Sequence, residues 1–190
     1  TKYAGAQLRV NEGTSVLTMT GCTFDGGVSG SYGGNVYIQG AATITDCTFK
    51  NGSATDAGGN LSVSSTKEVT IENCTFEDGT TGGNGGNVYV TNDANVTMTN
   101  CTMKGGLADG TANKKFTYGG NLYSQAGTLV ITGGTFENGA AQSAGNMYLG
   151  GTTATVTGVT FKNGDATLKC DGTTNGNGGN LQSTSSCALT

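Results

Sequence analysis

Thr45-Asp46-Cys47-Thr48-Phe49-Lys50-Asn51-Gly52-Ser53-Ala54-Thr55-Asp56-Ala57-Gly58-Gly59-Asn60-Leu61-Ser62-Val63 carries the plan of this 190-residue chain in one copy. Two marks in it recur. Gly-Gly-Asn plus an apolar residue returns at Gly33-Gly34-Asn35-Val36, Gly85-Gly86-Asn87-Val88, Gly119-Gly120-Asn121-Leu122 and Gly178-Gly179-Asn180-Leu181. Degenerate copies stand at Gly5-Ala6-Gln7-Leu8 and Ala144-Gly145-Asn146-Met147. The second mark, Phe or Met after Thr, falls at Phe24, Phe49, Phe76, Met103, Phe136 and Phe161. One unit is thus repeated with a period of 25 to 34 residues, and residues 1–190 read as a single domain.

Outward from Phe49, Ala42 and Ile44 alternate with Thr43 and Thr45. Val69 and Ile71, Val96 and Met98, Leu129 and Ile131, and Ala154 and Val156 repeat the alternation. Period two over such short segments predicts short strands. Asp46, Asn73, Asn100 and Gly133 each separate one strand from the next, and these residue types tolerate a left-handed bend. Three residues past each Phe or Met stands glycine: Gly27, Gly52, Gly79, Gly106, Gly139 and Gly164. Such a position needs either a positive φ or a close backbone approach. A third strand follows each Gly-Gly-Asn, as in Val36-Tyr37-Ile38, with the tyrosine pointing out. One such unit cannot bury its apolar face alone, but units stacked with parallel pairing about 4.8 Å apart can. The expected fold is all-β: a single-stranded parallel β-helix, or β-solenoid, right-handed by the crossover rule. It has three short strands per coil and about six coils, giving a rod roughly 30 Å long.

Stacking puts like on like. Asn35, Asn60, Asn87, Asn121, Asn146 and Asn180 are expected to form an amide ladder at a bend. Cys22, Cys47, Cys74 and Cys101 are expected to form an inward column of small, unreactive hydrophobes. A disulfide, if one forms, joins Cys170 and Cys187. The residue after each Phe or Met reads Asp25, Lys50, Glu77, Lys104, Glu137, Lys162, with alternating sign. A slip by one coil would bring like charges together, so this ladder reads as register control.

Composition narrows the function. Net charge is −4 and the nine basic residues are dispersed, which argues against nucleic acid. No apolar run reaches membrane-span length. With no histidine and no Cys-x-x-Cys, neither metal nor cofactor is expected. The thirteen acids are scattered, apart from Asp46 near Glu72 and the pair Glu77-Asp78, and the sole arginine is Arg9. Glycoside cleavage needs clustered carboxylates, so the chain reads as non-enzymatic. Thr1 falls inside a repeat, as in a chain processed or cut from something longer.

Cys47-Thr48-Phe49-Lys50-Asn51-Gly52-Ser53-Ala54 with Gly58-Gly59-Asn60 resembles the repeats of chlamydial polymorphic outer-membrane proteins. There a Phe-x-x-Asn element alternates with Gly-Gly-Ala-Ile. The units are also similar to Gly-Gly-Asn-rich repeats of β-helical surface proteins from gut-dwelling Firmicutes. The resemblance covers nearly the whole chain. It departs where Asn51, Asn138 and Asn163 lie two residues past the Phe, and where Asn replaces Ala after Gly-Gly. It implies surface display and adhesion and supplies no active-site residues.

Two outward rows offer binding surfaces. Thr18, Thr43, Thr70, Thr97 and Thr155 run beside Thr20, Thr45, Thr99, Thr132 and Thr157, with Val130 and Glu72 as the exceptions. This Thr-x-Thr grid resembles the ice-binding face of β-solenoid antifreeze proteins, although Thr is also an ordinary exposed strand residue. Tyr37, Tyr89, Tyr123 and Tyr148, broken by Ser62, form a row able to stack on sugar rings or to cover a seam. Two long loops, 107–118 and 165–177, are expected on one edge, where Lys114, Lys115, Phe116, Lys169 and Cys170 would protrude. The leading expectation is an extracellular or cell-surface structural β-solenoid, a unit of a fibre or adhesin stalk. It would stack head to tail on copies of itself or on flanking coils of a longer solenoid, with a host or matrix glycan as a further partner. Ice binding is the alternative, and polysaccharide binding or processing ranks below it.

Overall fold

A computed structural model describes residues 4–13, 16–113, 115–125, 127–167, 178–184 and 187–189, the side chains of Asn113 and 187–189 excepted. Its strands fall into four parallel sheets in which every neighbour comes from the next coil. The first sheet stacks Leu8–Val10, Val36–Ile38, Leu61–Ser64, Val88–Thr91, Leu122–Ser124, Met147–Leu149 and Leu181–Ser183. The second stacks Val16–Thr20, Ala41–Thr45, Glu68–Glu72, Asn95–Thr99, Thr128–Thr132, Thr153–Thr157 and Cys187–Leu189. The third runs from Thr23–Asp25 to Thr160–Lys162 and carries the Phe and Met marks. These are the three strands per coil that the alternation predicts, wound about six times. A fourth sheet was not legible: two-residue strands Val28–Ser29, Ser53–Ala54, Thr80–Thr81 and Leu107–Ala108 pair in register just past the repeated glycine.

The bends explain the glycine content. Each coil turns through left-handed positions that L side chains other than Asn and Asp rarely take. One column holds Gly21, Asp46, Asn73, Asn100, Gly133 and Gly158, with φ between 51° and 65°. A second, two residues past the Phe or Met, holds Gly26, Asn51, Asp78, Gly105, Asn138 and Asn163. The invariant glycine one residue later serves the other purpose. A Cβ on Gly52 would lie 2.3 Å from the Gly59 carbonyl oxygen and 2.6 Å from Asn60 Oδ1. That position is fixed by close approach, and φ is released one residue earlier.

The core is a continuous column. Phe49, Phe76, Met103 and Phe136 are fully buried, as are Ile44, Ile71, Met98 and Ile131 opposite them. Phe24 stacks on Phe49 at 5.2 Å and Phe49 on Phe76 at 4.9 Å, both with nearly parallel ring planes. Each aromatic contact adds about 0.5–1.5 kcal/mol beyond area burial.

Candidate functional site

The Asn column is hydrogen-bonded from coil to coil along the rod. Asn35, Asn60, Asn87, Asn121 and Asn146 have no exposed surface. Each passes its Nδ2 to the Oδ1 of the next, at 2.7–2.8 Å, as far as Asn180. Each Nδ2 also donates to the backbone carbonyl of a charge-ladder residue, Lys50, Glu77, Lys104, Glu137 or Lys162. Each Oδ1, that of Asn180 included, accepts the N–H of the invariant glycine. From Asn60 to Asn146 each buried amide thus makes two donor and two acceptor bonds. Gln7, in the degenerate first copy, donates in the same way to the Asp25 carbonyl. These groups hold bends together and are chemically occupied.

The charge ladder resolves into pairs. Lys50 meets Asp25 at 3.3 Å, Lys104 meets Glu77 at 2.9 Å, and Lys162 meets Glu137 at 3.9 Å. Asn51 Nδ2 also donates to Asp25, and this bond with the Lys50 ammonium holds the Asp25 carboxyl below the usual carboxylate range. The bond from Lys104 to Glu77 raises the Lys104 ammonium in turn. At this exposure solvent screens each pair, so the ladder contributes little to stability.

The four column cysteines are free thiols. Cys47 and Cys74 each accept a backbone N–H from the preceding coil's cysteine, at 3.3 and 3.4 Å. Burial pushes the Cys101 thiol up to about 11 and the Cys74 thiol up to about 12. They are protonated and unreactive near neutrality. Cys170 lies outside the described residues, as do the Cys187 side chain, Lys114 and Lys169.

On the second sheet the threonine rows lie in register. Thr18 pairs Thr43, Thr43 pairs Thr70, Thr70 pairs Thr97, and the row continues through Val130 to Thr155. Glu72 lies between Thr45 and Thr99 in the parallel row. The face is not flat: a depression of about 250 Å³ opens among Glu68, Asn95, Thr97, Thr128 and Val130.

The tyrosine edge has the most varied surface. Tyr89, Tyr123 and Tyr148 stack at 5.3 and 5.2 Å, within 8° of parallel. Arg9 caps the column, its guanidinium 5.5 Å from the Tyr37 ring centre. Sequence alone shows this row as outward. In the structure Tyr37 and Tyr123 keep only 8% and 5% of their surface. The cover comes from Tyr32 and Tyr118, one residue before the Gly-Gly of their coils. Tyr118 lies 4.5 Å from Tyr148 and 5.1 Å from Phe116 in the long loop. Tyr32 lies 6.1 Å from Tyr37 and 6.0 Å from Tyr89, at the break left by Ser62. A notch of about 300 Å³ remains there, lined by Tyr32, Tyr37, Ser62, Ser64, Tyr89, Thr91 and Asn92. Beyond Tyr32 and Tyr89 a second depression, again about 300 Å³, reaches Asp56, Asn84, Lys115 and Phe116. Tyr32 and Tyr118 were missed as site residues; the signal was an aromatic just ahead of Gly33 and Gly119.

Parallel coils, repeated bends and end-to-end ladders coincide with a sequence model of the right-handed β-helix region, which matches residues 8–188. The chain belongs to the right-handed β-helix family. Comparisons with curated proteins and with solved structures return no match. Among the described residues of this β-helix, no three His, Cys, Asp or Glu side chains converge on a metal-sized site. No described helix is long and apolar enough to cross a membrane.

Proposed function

We propose that this β-helix is a structural rod, a non-enzymatic extracellular segment that extends a surface fibre or adhesin stalk. Its partner is another coil of the same kind, from a second copy or from flanking coils. The observation that carries this reading is the unbroken register of the ladders. Seven strands in the first sheet and seven in the second follow one another without a slip. Among the described residues, the outer strands Leu8–Val10 and Leu181–Ser183 each keep one unpaired edge. Such an edge is a template for a further strand, and a head-to-tail contact of this kind does not close. At one end Asn180 accepts from Asn146 and Gly164, and no described acceptor faces its Nδ2. Sedimentation over a concentration series tests the proposal. Rods that lengthen with concentration are expected if the partner is a second copy; a monodisperse monomer up to about 1 mM overturns stacking of free copies and leaves flanking coils as the partner.

Ice binding is the second reading. The observation in its favour is that threonine stands opposite threonine across successive coils. Thermal hysteresis measurements decide it.

A further inference from the structure

We propose that the break in the tyrosine column at Ser62 is a binding site for a short neutral oligosaccharide. The proposal is independent of end-to-end stacking. Ser62 stands in register with Tyr37 on one side and Tyr89 on the other. The two tyrosines are therefore two coils apart, which leaves about 9.6 Å between their faces. That gap holds one flat ring. At the corresponding place between Tyr89 and Tyr148 stands Tyr123, 5.3 and 5.2 Å from its neighbours.

Here the place is filled only loosely. Tyr32 leans in across Ala57, whose small side chain clears its path, and its ring is tilted 22° and 23° from the rings it touches. It stays 37% exposed. Beneath it, Ser62 is completely buried and its Oγ has no hydrogen-bond partner. A sealed hydroxyl without a partner is a standing cost that a suitable ligand removes.

The chemistry of the lining selects the occupant. A pyranose offers C–H faces to aromatic rings and hydroxyls at its rim. With Tyr32 turned outward, one ring stacks between Tyr37 and Tyr89 and a ring hydroxyl bonds Ser62 Oγ. Asn92 and Ser64, already joined at 2.7 Å, present further polar atoms at the mouth. An aromatic side chain in the same slot would leave Ser62 unpartnered. No carboxylate, ammonium or guanidinium lines this notch, so a neutral sugar fits it better than a charged one. The adjoining depression shares Tyr32 and Tyr89 as its wall and adds Phe116, 38% exposed, as a platform for a following ring.

The test uses cellotriose, chitotriose and maltotriose, each titrated to about 10 mM against the whole chain while the tyrosine ring protons are followed by NMR. At least one is expected to shift the Tyr37 and Tyr89 rings, with a Kd of about 1 mM or tighter. Ser62→Tyr completes the column with the residue its neighbours already use. It is expected to weaken binding at least about tenfold while thermal stability holds or rises. Tyr89→Ser, which copies at its own coil what Ser62 is, provides the second variant and is also expected to abolish binding. Thr97→Lys, on another face, is expected to leave it unchanged. No shift with any of the three sugars, or binding that survives both Ser62→Tyr and Tyr89→Ser, overturns the proposal.

Discussion

Asn87 Nδ2 lies 2.7 Å from Asn121 Oδ1, one coil away, and neither residue has any exposed surface. The same Asn87 amide donates to the Lys104 carbonyl and accepts from Asn60 and Gly79. Truncation breaks all four bonds: the Gly79 N–H and one N–H of Asn60 Nδ2 lose their partner, at about 1–3 kcal/mol each, while the Lys104 carbonyl keeps the Asp78 N–H and Asn121 Oδ1 keeps the Gly106 N–H. Asn87→Ala is therefore expected to lower unfolding free energy by about 3 kcal/mol or more. Asn180→Ala, at the exposed end, is expected to cost far less. Chemical denaturation of both variants checks the contrast; equal losses would show that the ladder does not act through burial.

Ala144 is the one residue other than Gly, Asn and Asp among the described left-handed positions, with φ of 56°. Its counterparts Gly33, Gly58, Gly85, Gly119 and Gly178 have φ of 62–70°. The left-handed conformation costs an alanine about 1–2 kcal/mol, a fraction of which glycine returns as unfolded-chain entropy. Ala144→Gly is expected to stabilise the rod by roughly 1 kcal/mol, read from the denaturation midpoint. A loss of stability would contradict the assignment.

The thiol column sets an alkaline limit. A thiol of ordinary value near 9.0 in the unfolded chain stands at about 12 at Cys74 in the fold. The unfolded chain then ionises first. The stability this burial contributes is intact below pH about 9 and drains away as pH rises toward about 12. Thermal midpoints are expected to be level from pH 6 to about 8 and to fall above about 9. Residue-resolved alkylation of the native chain at pH about 8 is expected to mark the partly exposed Cys22 ahead of Cys74 and Cys101. Uniform labelling of the three would contradict the buried column.

If the threonine rows bind ice, Thr97→Lys with Thr99→Lys is expected to abolish thermal hysteresis, since both face out from one strand beside Thr70 and Thr132. Hysteresis that survives the pair, or none in the parent at millimolar concentration, removes that reading.

Much of the architecture was legible because a coil repeats its chemistry at fixed offsets. Phe49, Gly52 and Asn60 announce one coil, and the same offsets at Phe76, Gly79 and Asn87 announce the next. The alternation around Ile44 gave the long strand for the same reason. The strand Ser53–Ala54 was hidden, since two residues carry no periodicity and Gly52 before it reads as a turn. Which of two reasons fixed that glycine was also open in sequence. Only the backbone geometry puts the positive φ on Asn51 and the close approach on Gly52. The surface was least legible. Tyr32 reaches over a neighbouring coil to Tyr89, a contact set by small side chains at Ala57 and Ser62 and by no local spacing.

Fibre diffraction from the concentrated, aligned chain tests the structural-rod account most directly. Head-to-tail stacking predicts a meridional reflection at about 4.8 Å, with strands perpendicular to the fibre axis. Fibres whose 4.8 Å spacing lies across the axis would contradict it, and a solution that stays monomeric at about 1 mM would contradict the stacking of free copies.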